Sequence, residues 1–460
     1  MFVLNKPMLR VANRIKAPVD AFLHTESASS ILLLIAAAVA LLWANSSAAE
    51  SYEHLWHTEF SITLGSWSMK QSLHFWINDF LMTIFFLVVG LEIKREIVEG
   101  ELADMRRASL PIAAAVGGML VPAAIYFALN PTGPGSQGWG VPMATDIAFA
   151  LGVLGLLGKR VPASLRVLLL ALAIIDDIGA ILVIAVFYSS GINPDAFITI
   201  AIGLAILLGM LQAGVRPGSM YIVPVIVLWA GAYSLGVHPT IAGVIVGLVM
   251  PVRPWLSRKE FVEVAEVALR EYHVLTSQEH KHKDALTPLR RLSMAGREAA
   301  SPVSRAEAAF HPWVAFLIMP LFALANAGVN LGGVEMSLDG ASMATLGVML
   351  GLAFGKPAGI LLFSWLTTRM GWCTLPRGVT WGGITVLGCA AGIGFTMAIF
   401  IAELAFRGSD LLQITKLAIL GGSAIAGVTA MTMGRIFLAG ELDPAVARLT
   451  PAQVEVSNEA

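Results

Sequence analysis

Residues 167–188 read VLLLALAIIDDIGAILVIAVFY, a run of 22 residues in which Asp176 and Asp177 are the only charged side chains. The run is long enough to cross the roughly 30 Å hydrocarbon core of a membrane as one helix, and both aspartates then lie near its middle. A charge at that depth costs at least roughly 2.5–3.5 kcal/mol, so such residues usually face water or a partner. The stretch therefore predicts a membrane helix with an acidic site at its centre.

The rest of the chain also has the composition of a membrane protein. Of its 460 residues, 57% are hydrophobic and 13% are charged, and the mean hydropathy is +0.76. Soluble domains average about 25% charged residues. The two cysteines, Cys373 and Cys389, form no disulfide framework or metal signature. We expect a lipid bilayer around the chain, no cofactor and no nucleic-acid partner.

Twelve apolar segments predict an all-α polytopic fold with about 12 transmembrane helices. Several segments are short or interrupted by Gly and Pro, which a membrane tolerates only where neighbours satisfy the freed backbone groups. The segments are residues 31–44, 73–91, 108–129, 141–158, 167–188, 196–211, 222–235, 239–250, 312–327, 343–365, 379–406 and 411–438.

The basic residues predict the orientation of these helices. With a cytoplasmic N-terminus, 26 of the 30 Lys and Arg residues fall on the cytoplasmic side, as the positive-inside rule requires. The basic N-terminus followed by an apolar run resembles a secretory signal, but no convincing cleavage site follows, so we expect an uncleaved first helix. The predicted organisation is a cytoplasmic segment at 1–30, a transmembrane domain at 31–440 and a cytoplasmic tail at 441–460.

Two loops have a character of their own. Residues 58–71 alternate apolar and polar side chains around Gly65, which predicts a small extracellular β-hairpin. A lone hairpin is marginal in water, so we expect it to lean on a second subunit, with Tyr52, Trp56 and Trp67 as apolar contacts. Residues 257–310 predict a cytoplasmic insertion, partly helical and partly disordered. Its His280 and His282 could touch a metal ion, although a solvated charge run is the simpler interpretation.

A buried lysine complements the two aspartates. Lys356 is the only charge in residues 343–365, and Gly351, Gly355 and Gly359 surround it at the four-residue spacing that lets helices approach closely. Its natural partner is one of the aspartates. Consecutive helical residues point about 100° apart, so one aspartate can pair while the other faces a cavity. Two acids that only hold helices together, and a purely structural salt bridge, are the alternatives.

Two further segments carry interruptions at similar depth. The sequence ATD at 144–146 follows a Gly- and Pro-rich stretch, and GIGFT at 392–396 places two glycines mid-membrane. Paired interruptions indicate a transporter binding site at the bilayer midplane. Asp146 is well placed to offset the positive ends of the half-helices. Glycines that merely pack two helices together are the alternative.

Five motifs jointly resemble the NhaA-type sodium/proton antiporter family, over about residues 20 to 440. They are FFLVVGLEIKRE at 85–96, ATDIAF at 144–149, DDIG at 176–179, GKP at 355–357 and GIGFTM at 392–397. The resemblance implies inverted repeats formed by helices 3–5 and 10–12, with crossed discontinuous helices 4 and 11.

The resemblance also implies roles for individual residues. Asp177 would be the principal Na⁺ and proton carboxylate with Asp176 beside it, Lys356 the partner of Asp176, and Thr145 and Asp146 the polar pair of the broken helix. A cytoplasmic cluster would respond to pH, although ordinary interfacial charge is an alternative interpretation. That cluster comprises Glu92, Arg95, Glu96, His238, Glu307 and His311.

The implied function is pH-regulated, electrogenic exchange of cytoplasmic Na⁺ or Li⁺ for external H⁺ in a bacterial inner membrane, by a transporter that is not an enzyme and dimerises through the hairpin. A sodium-coupled symporter of a small solute is the alternative. An intramembrane aspartyl protease would need two facing aspartates, and Asp176 and Asp177 are adjacent. Three features depart from the family: Ala308 replaces a histidine of some relatives, the 257–310 loop is long, and Glu403 is an additional acid.

Overall fold

The computed structural model describes residues 26–64, 67–189, 193–215, 218–277, 286–333 and 340–438. The predicted C-terminal tail, nearly all of the predicted N-terminal segment, and His280 and His282 lie outside these residues. The described residues contain six helices long and apolar enough to cross a membrane, or up to nine spans if each of three bent helix pairs is one span. The chain is therefore a polytopic, mostly helical membrane protein.

The elements follow one another in a simple chain order. They are α1 (Glu26–Ala44), α2 (Ala49–His57), β1 (Glu59–Leu64), β2 (Trp67–Ser72), α3 (Leu73–Val98), α4 (Met105–Leu129), α5 (Ile147–Leu156), α6 (Ala163–Phe187), α7 (Ala196–Gln212), α8 (Ile222–Leu235), α9 (Thr240–Val249), α10 (Arg258–Ser277), α11 (Leu286–Ala299), α12 (Pro302–Asn326), α13 (Ala341–Arg369), α14 (Trp381–Ala391), α15 (Phe395–Ala405) and α16 (Leu411–Phe437).

Two compact units divide these elements. One unit holds the chain up to Met82, from Asp104 to position 190 and from Ala315 onward; the other holds Thr83–Ala103 and positions 191–314. Helices α3 and α12 each contribute to both units. The aspartates, the buried lysine and both interrupted segments all belong to the first unit, so the candidate site is built within one unit.

Two spans of the first unit are broken in the same way. A 3₁₀ segment, Pro134–Met143, leads through three non-helical residues into α5, and α14 leads through three residues into α15. Each pair bends by 46°. Pro142 lacks a backbone N–H and cannot continue a helical ladder, whereas Gly392 and Gly394 give the second break room. The sequence predicted interruptions at 144–146 and within 392–396, and the non-helical residues are 144–146 and 392–394.

Glycine contacts set how closely the helices of the first unit pack. A Cβ added at Gly359 of α13 would lie 2.1 Å from the Gly117 carbonyl oxygen of α4, and one added at Gly117 would lie 2.2 Å from the Gly359 oxygen. At Gly355 the nearest backbone atom, Pro122 Cα, would be 3.0 Å away. The small residues around Lys356 therefore bring α13 against α4, the close approach that small residues permit in membranes.

Three helices contain π-helical turns, in which one extra residue is inserted into the helical ladder. These turns are Trp76–Leu81 in α3, Val314–Ile318 in α12 and Gly351–Gly355 in α13. The last turn ends directly before Lys356. The insertion rotates the lysine relative to the preceding turns of α13, so it contributes to where the ammonium group lies.

The extracellular-loop prediction at 58–71 corresponds to two paired strands. β1 and β2 are antiparallel, with Glu59 opposite Ser72 and Leu64 opposite Trp67; positions 65 and 66 lie outside the described residues. Phe60 on β1 makes an edge-to-face contact with Trp76 at the start of α3, with ring centroids 5.9 Å apart. Trp76 Nε1 also donates to the Phe60 carbonyl oxygen at 3.3 Å, so β1 is held against the start of α3 by both a ring contact and a hydrogen bond.

The second unit also depends on glycines. A Cβ at Gly247 of α9 would lie 2.7 Å from the backbone of Gly90 in α3, and one at Gly243 would lie 2.2 Å from the Thr83 carbonyl oxygen. Helices α7 and α8 pack against each other, with Gly203 against Leu228. The charged helices α10 and α11, which follow α9 and precede α12 in the chain, also belong to this unit.

Substitution of Gly359 by alanine tests the α4–α13 contact. Because the new methyl group would meet a backbone oxygen that cannot move aside, we expect Gly359→Ala to lower the free energy of unfolding by about 1–3 kcal/mol, as overpacking typically does. Gly209→Ala in α7 is the matched control, since nothing lies within 4 Å of its added Cβ. Thermal unfolding in detergent measures both, and equal stability of the two variants would contradict the packing assignment.

Candidate ion-binding site

Asp146 joins the two broken helices. It is the N-cap of α5, where its Oδ1 accepts a hydrogen bond from the Phe149 amide at 3.1 Å. Its Oδ2 accepts the Thr396 amide at 3.1 Å, at the start of α15, and also the Thr396 hydroxyl. Its own amide donates to the Ile393 carbonyl oxygen at 2.7 Å. One carboxylate therefore satisfies the N-termini of two half-helices.

The physical need for this arrangement follows from the breaks themselves. The first amides of a helix have no intrahelical partner, and a half-helix that begins inside the membrane has no water to satisfy them. Their partial positive charge also favours a nearby anion. At α15 the Phe395 amide finds a second acceptor, Ser423 Oγ of α16, at 3.1 Å. Ser423 was not among the sequence-predicted site residues.

The buried lysine pairs with the first of the two aspartates. Lys356 Nζ lies 2.7 Å from Asp176 Oδ2, and both side chains are essentially inaccessible to solvent, at 0% and 1% exposed. The same ammonium group donates to the Met143 carbonyl oxygen, at the end of the 3₁₀ segment. The pair thus connects α6, α13 and the first break. Neither charge would be compensated in hydrocarbon without the other.

Thr145 links this ion pair to the second break. Its Oγ1 lies 2.6 Å from Asp176 Oδ2 and 3.1 Å from the Ala391 carbonyl oxygen at the end of α14. A hydroxyl has one proton, so it can donate to only one of these acceptors at a time. A change at Asp176 is therefore felt at the backbone of the other broken helix.

Asp177 follows on the same helix and is also buried, at 3% exposed. It lies close enough to Lys356 to interact electrostatically with its ammonium group. Asp176 Oδ1 is buried and has no hydrogen-bond partner among the described residues. The two carboxylates therefore offer oxygen atoms that the ion pair does not occupy, and oxygen ligands are those that hard cations prefer.

The break between α14 and α15 packs closely against α13. A Cβ at Gly392 would lie 2.5 Å from the Leu352 carbonyl oxygen, and one at Gly394 would lie 2.8 Å from the Leu352 side chain. Leu352 belongs to the π-helical turn that precedes Lys356. The two glycines are therefore needed for close approach to α13, in addition to the interruption of the helix.

The sequence-predicted pH cluster is assembled in part within the second unit. Arg95 Nη1 of α3 lies 2.6 and 2.7 Å from the two carboxylate oxygens of Glu307 on α12. Glu96 lies 3.9 Å from Arg95 and accepts the Glu101 amide, and Glu92 interacts electrostatically with Glu307 and Arg95. These four charged residues form one network.

The two histidines of that predicted cluster differ in their surroundings. His238 is 8% exposed and its Nδ1 lies 2.8 Å from Thr240 Oγ1 at the start of α9. His311 is exposed on α12. The structure therefore brings together the arginine and the acids of the prediction and places the two histidines in separate surroundings, one buried and one exposed.

Glu403, which the sequence left without a role, has partners in the first unit. Its Oε1 lies 2.5 Å from Lys416 Nζ of α16 and 3.7 Å from His74 Nε2 of α3. His74 also contacts Asn326 Oδ1 at 3.0 Å, and Asn326 exchanges hydrogen bonds with Asn78. A signal was available: positions 403 and 416 are lone opposite charges on either side of one short loop.

A site of this construction, with interrupted helices that meet at one carboxylate beside a buried aspartate–lysine pair, is characteristic of secondary active transporters. The comparisons with known proteins name the family. The chain belongs to the Na⁺/H⁺ antiporter 1 family, whose model matches residues 20–433.

Curated relatives share this sequence over nearly its whole length. The Na⁺/H⁺ antiporter NhaA 2 of Sorangium cellulosum is 56% identical over 94% of this chain and 92% of its own. The Na⁺/H⁺ antiporters NhaA of Janthinobacterium sp. and Cupriavidus necator are 53% and 52% identical, over 95% and 94% of this chain and 96% and 92% of their own lengths.

A double-mutant cycle on Asp176→Asn and Lys356→Met tests the buried pair. Removal of one partner leaves an uncompensated buried charge, so we expect each single variant to lose about 3–5 kcal/mol of stability and the double variant to lose less than the sum. Thermal unfolding of the purified protein measures the cycle.

The exposed pair Glu59–Lys70 provides the control for this cycle, because both side chains are about 60% exposed. Glu59→Gln and Lys70→Met should change stability by no more than about 1 kcal/mol. Strictly additive losses at Asp176 and Lys356 would show that the two side chains do not support each other in the folded protein.

Proposed function

We propose that this chain is a secondary active transporter that exchanges Na⁺, or Li⁺, for H⁺ across a bacterial inner membrane. The observation that carries the proposal is the buried group of Asp176, Asp177 and Lys356 beside two interrupted helices. Relatives at 52–56% identity are named Na⁺/H⁺ antiporters. The residues of this chain supply the chemistry that such an exchange requires.

The mechanism rests on competition for the same carboxylates. A carboxylate in the hydrocarbon region has to be neutralised by a proton, a cation or a basic partner. Asp177, and the Asp176 oxygen that the ion pair leaves open, can accept either a proton or a sodium ion. Backbone carbonyl oxygens at the breaks are suitable further ligands, because unwound backbone near half-helix ends coordinates ions in transporters. A proton taken up from one side then displaces the cation to that side.

Charge balance supports electrogenic exchange as part of the proposal. Asp176, Asp177 and Lys356 are three titratable groups at one place, so the site can release more than one proton for each sodium ion that it binds. The Lys356–Asp176 ion pair competes with cation binding at Asp176. A cation that displaces the ammonium group leaves the lysine without its partner, which favours loss of its proton.

The proposed topology has twelve spans with both termini in the cytoplasm. It counts the six long helices, the three bent pairs and the three shorter apolar helices α7, α8 and α9. Helices α4 to α6 and α13 to α16 each consist of a long helix, a pair bent by 46° and another long helix. This supports inverted repeats whose broken members cross at Asp146, the connection through which alternating access would act.

We also propose that the network of Glu92, Arg95, Glu96 and Glu307 regulates exchange by pH. Four charged residues that share one network change their mutual interactions when any one of them titrates. The network connects α3 with α12, so a change in its charge acts between two helices. The proposed pH-responsive set also includes His238 and His311, which belong to the same unit.

Asp177→Asn is the direct test of the exchange mechanism. The amide keeps the shape of the side chain and cannot carry a charge, so we expect sodium-driven proton movement in proteoliposomes to fall to the background of empty liposomes. Asp195→Asn is the matched control, since Asp195 is exposed and should keep full activity. Exchange by Asp177→Asn at a substantial fraction of the parent rate would exclude this assignment, and exchange that requires an organic solute would favour the symporter.

The paired strands β1 and β2 are proposed to hold two copies of the chain together. Phe60 and Ile62 on β1 are 51% and 42% exposed, and an exposed strand edge invites pairing with another chain. Tyr52 and Trp56, which the sequence suggested as apolar contacts, are instead buried against their own chain at 5% and 6% exposed. Tyr52 donates to the Leu324 carbonyl oxygen at 2.8 Å, so its contacts are intramolecular. The side chain of Trp67 lies outside the described residues.

Deletion of residues 58–69 tests the dimer proposal. Because the strands are proposed to hold two copies together, we expect the deletion variant to be a monomer by light scattering after size exclusion. Because they lie outside the candidate site, we expect this monomer to keep its exchange activity, measured as proton flux under mild conditions. Phe60→Ser with Ile62→Ser is a gentler variant that removes only the exposed apolar contact. A folded deletion variant that stays dimeric, or that has lost exchange, would show that the strands have another role.

A further inference from the structure

Helices α10 and α11 form a pair whose inner faces are easily defined. Ala268 of α10 and Ala295 of α11 are 2% and 4% exposed, and Arg291 of α11 lies 3.0 Å from both carboxylate oxygens of Glu271 on α10. The facing sides of α10 and α11 therefore contact each other, through buried alanines and the Arg291–Glu271 pair. The opposite sides of both helices are exposed.

The outward face of α11 is both apolar and basic. At about 100° per residue, six of its exposed side chains fall within an arc of about 140° opposite the buried Ala295, and the exposed Thr287 and Arg291 lie beside that arc. Arg290 and Arg297 form no ion pair with a described residue, and no acidic side chain lies within the arc. The face consists of Leu286, Leu289, Arg290, Ser293, Met294 and Arg297, of which the leucines and the methionine are 42–56% exposed.

The outward face of α10 provides a contrast within the same pair. Glu263, Glu266 and Arg270 lie there, and Arg270 pairs with Glu266 at 3.0 Å one turn away. Charges of both signs that pair with each other are typical of a helix face in water. The two helices share a contact, but the outward face of α10 carries acids beside its bases and its exposed Val262 and Val274, whereas the face of α11 carries only bases among its apolar side chains.

α11 lies next to a candidate span in the chain. α12 begins at Pro302, three residues after α11 ends. With 25 residues α12 is about 37 Å long, about 7 Å longer than the hydrocarbon core. A helix that ends so close to a candidate span has a membrane surface within its reach. Trp255 and Leu256 lie in the segment that follows α9, and their amides both donate to the Glu298 carbonyl oxygen at 3.0 Å. These two hydrogen bonds hold the C-terminal end of α11 against that segment.

We propose that the outward face of α11 is a docking surface for anionic phospholipid headgroups of the adjacent leaflet. Arg290 and Arg297 bind the phosphates, which guanidinium groups match in charge and geometry. Leu286, Leu289 and Met294 enter the boundary between headgroups and acyl chains, as in interfacial amphipathic helices. Docking fixes the start of α12, the helix that carries Glu307. The proposal does not depend on which ion the chain transports.

The test uses the full-length protein in lipid nanodiscs. A polarity-sensitive fluorophore is attached at Ser293→Cys on α11 or at Glu263→Cys on α10, and quenching by spin-labelled lipid is measured in phosphatidylcholine alone and in an equimolar mixture with phosphatidylglycerol. Cys373 and Cys389 are buried, and labelling of the parent chain gives the background. We expect at least about twofold stronger quenching at position 293 in the anionic nanodiscs and no such difference at position 263.

Charge-reversal variants make the test specific. R290E/R297E should lower quenching at position 293 to the level in neutral lipid, whereas K259E/R270E, with the same charge change on α10, should leave it unchanged. Salt should also weaken the difference, because the Debye length falls from about 10 Å at 0.1 M to about 3 Å at 1 M. Far-UV circular dichroism confirms that both variants are folded.

Three results would overturn the proposal. One is equal quenching at position 293 in neutral and anionic nanodiscs. A second is equal sensitivity to R290E/R297E and K259E/R270E. The third is a fluorescence shift at position 293 that follows protein concentration in detergent without lipid, which would identify a second copy of the chain as the occupant of this face.

Discussion

The carboxylate of Asp146 accepts hydrogen bonds from two helices that both begin inside the membrane, Oδ1 from α5 and Oδ2 from α15. In hydrocarbon no water can replace either contact, so the two half-helices depend on the same side chain. The Asp146 amide, which donates to Ile393, closes the connection from the other direction. The remaining polar groups of the site are placed by this junction.

The ion pair of Asp176 and Lys356 is attached to the junction on both sides. Lys356 donates to Met143, three residues before Asp146, and Thr145 lies between Asp176 and the end of α14. A change in the charge state of Asp176 therefore alters contacts at both breaks without any change at Asp146. Proton or cation binding at the carboxylates is therefore coupled to the hydrogen bonds at both helix breaks.

The sequence predicted those parts of the site that depend on the cost of charge in a membrane. Asp176, Asp177 and Lys356 could be identified because two charges within 22 residues, or one within 23, that are otherwise uncharged and mostly apolar require a partner or a site. Ser423 could not be identified, because a hydroxyl within a membrane helix does not carry the energetic cost of a charge. Its hydrogen bond with the Phe395 amide joins residues 28 positions apart, and nothing in the sequence indicates that they meet. Glu403 and Lys416 could have been paired by the same argument about lone charges.

The fold was predictable to a similar depth. Apolar length indicated a polytopic, mostly helical membrane protein, and Gly and Pro located both breaks, but the π-helical turn before Lys356 leaves no compositional trace. The insertion at 257–310 was expected to be partly helical, and the helices Arg258–Ser277 and Leu286–Ala299 lie there. Tyr52 and Trp56 were wrongly expected as contacts of a second subunit, because the sequence does not show that their face of α2 packs against the distant residues Leu324 and Ala325 of the same chain.

The contact between Gly117 and Gly359 restricts how this sequence can drift over generations. Both residues are already glycine, so a larger residue at one position cannot be compensated by a smaller residue at the other. No single substitution at either position therefore keeps the contact. The ion pair of Glu403 and Lys416 differs in kind, because two apolar residues of similar volume can replace a buried pair together at little or no loss of stability. Homologous chains can therefore vary at 403 and 416 in concert, while 117 and 359 have no such path.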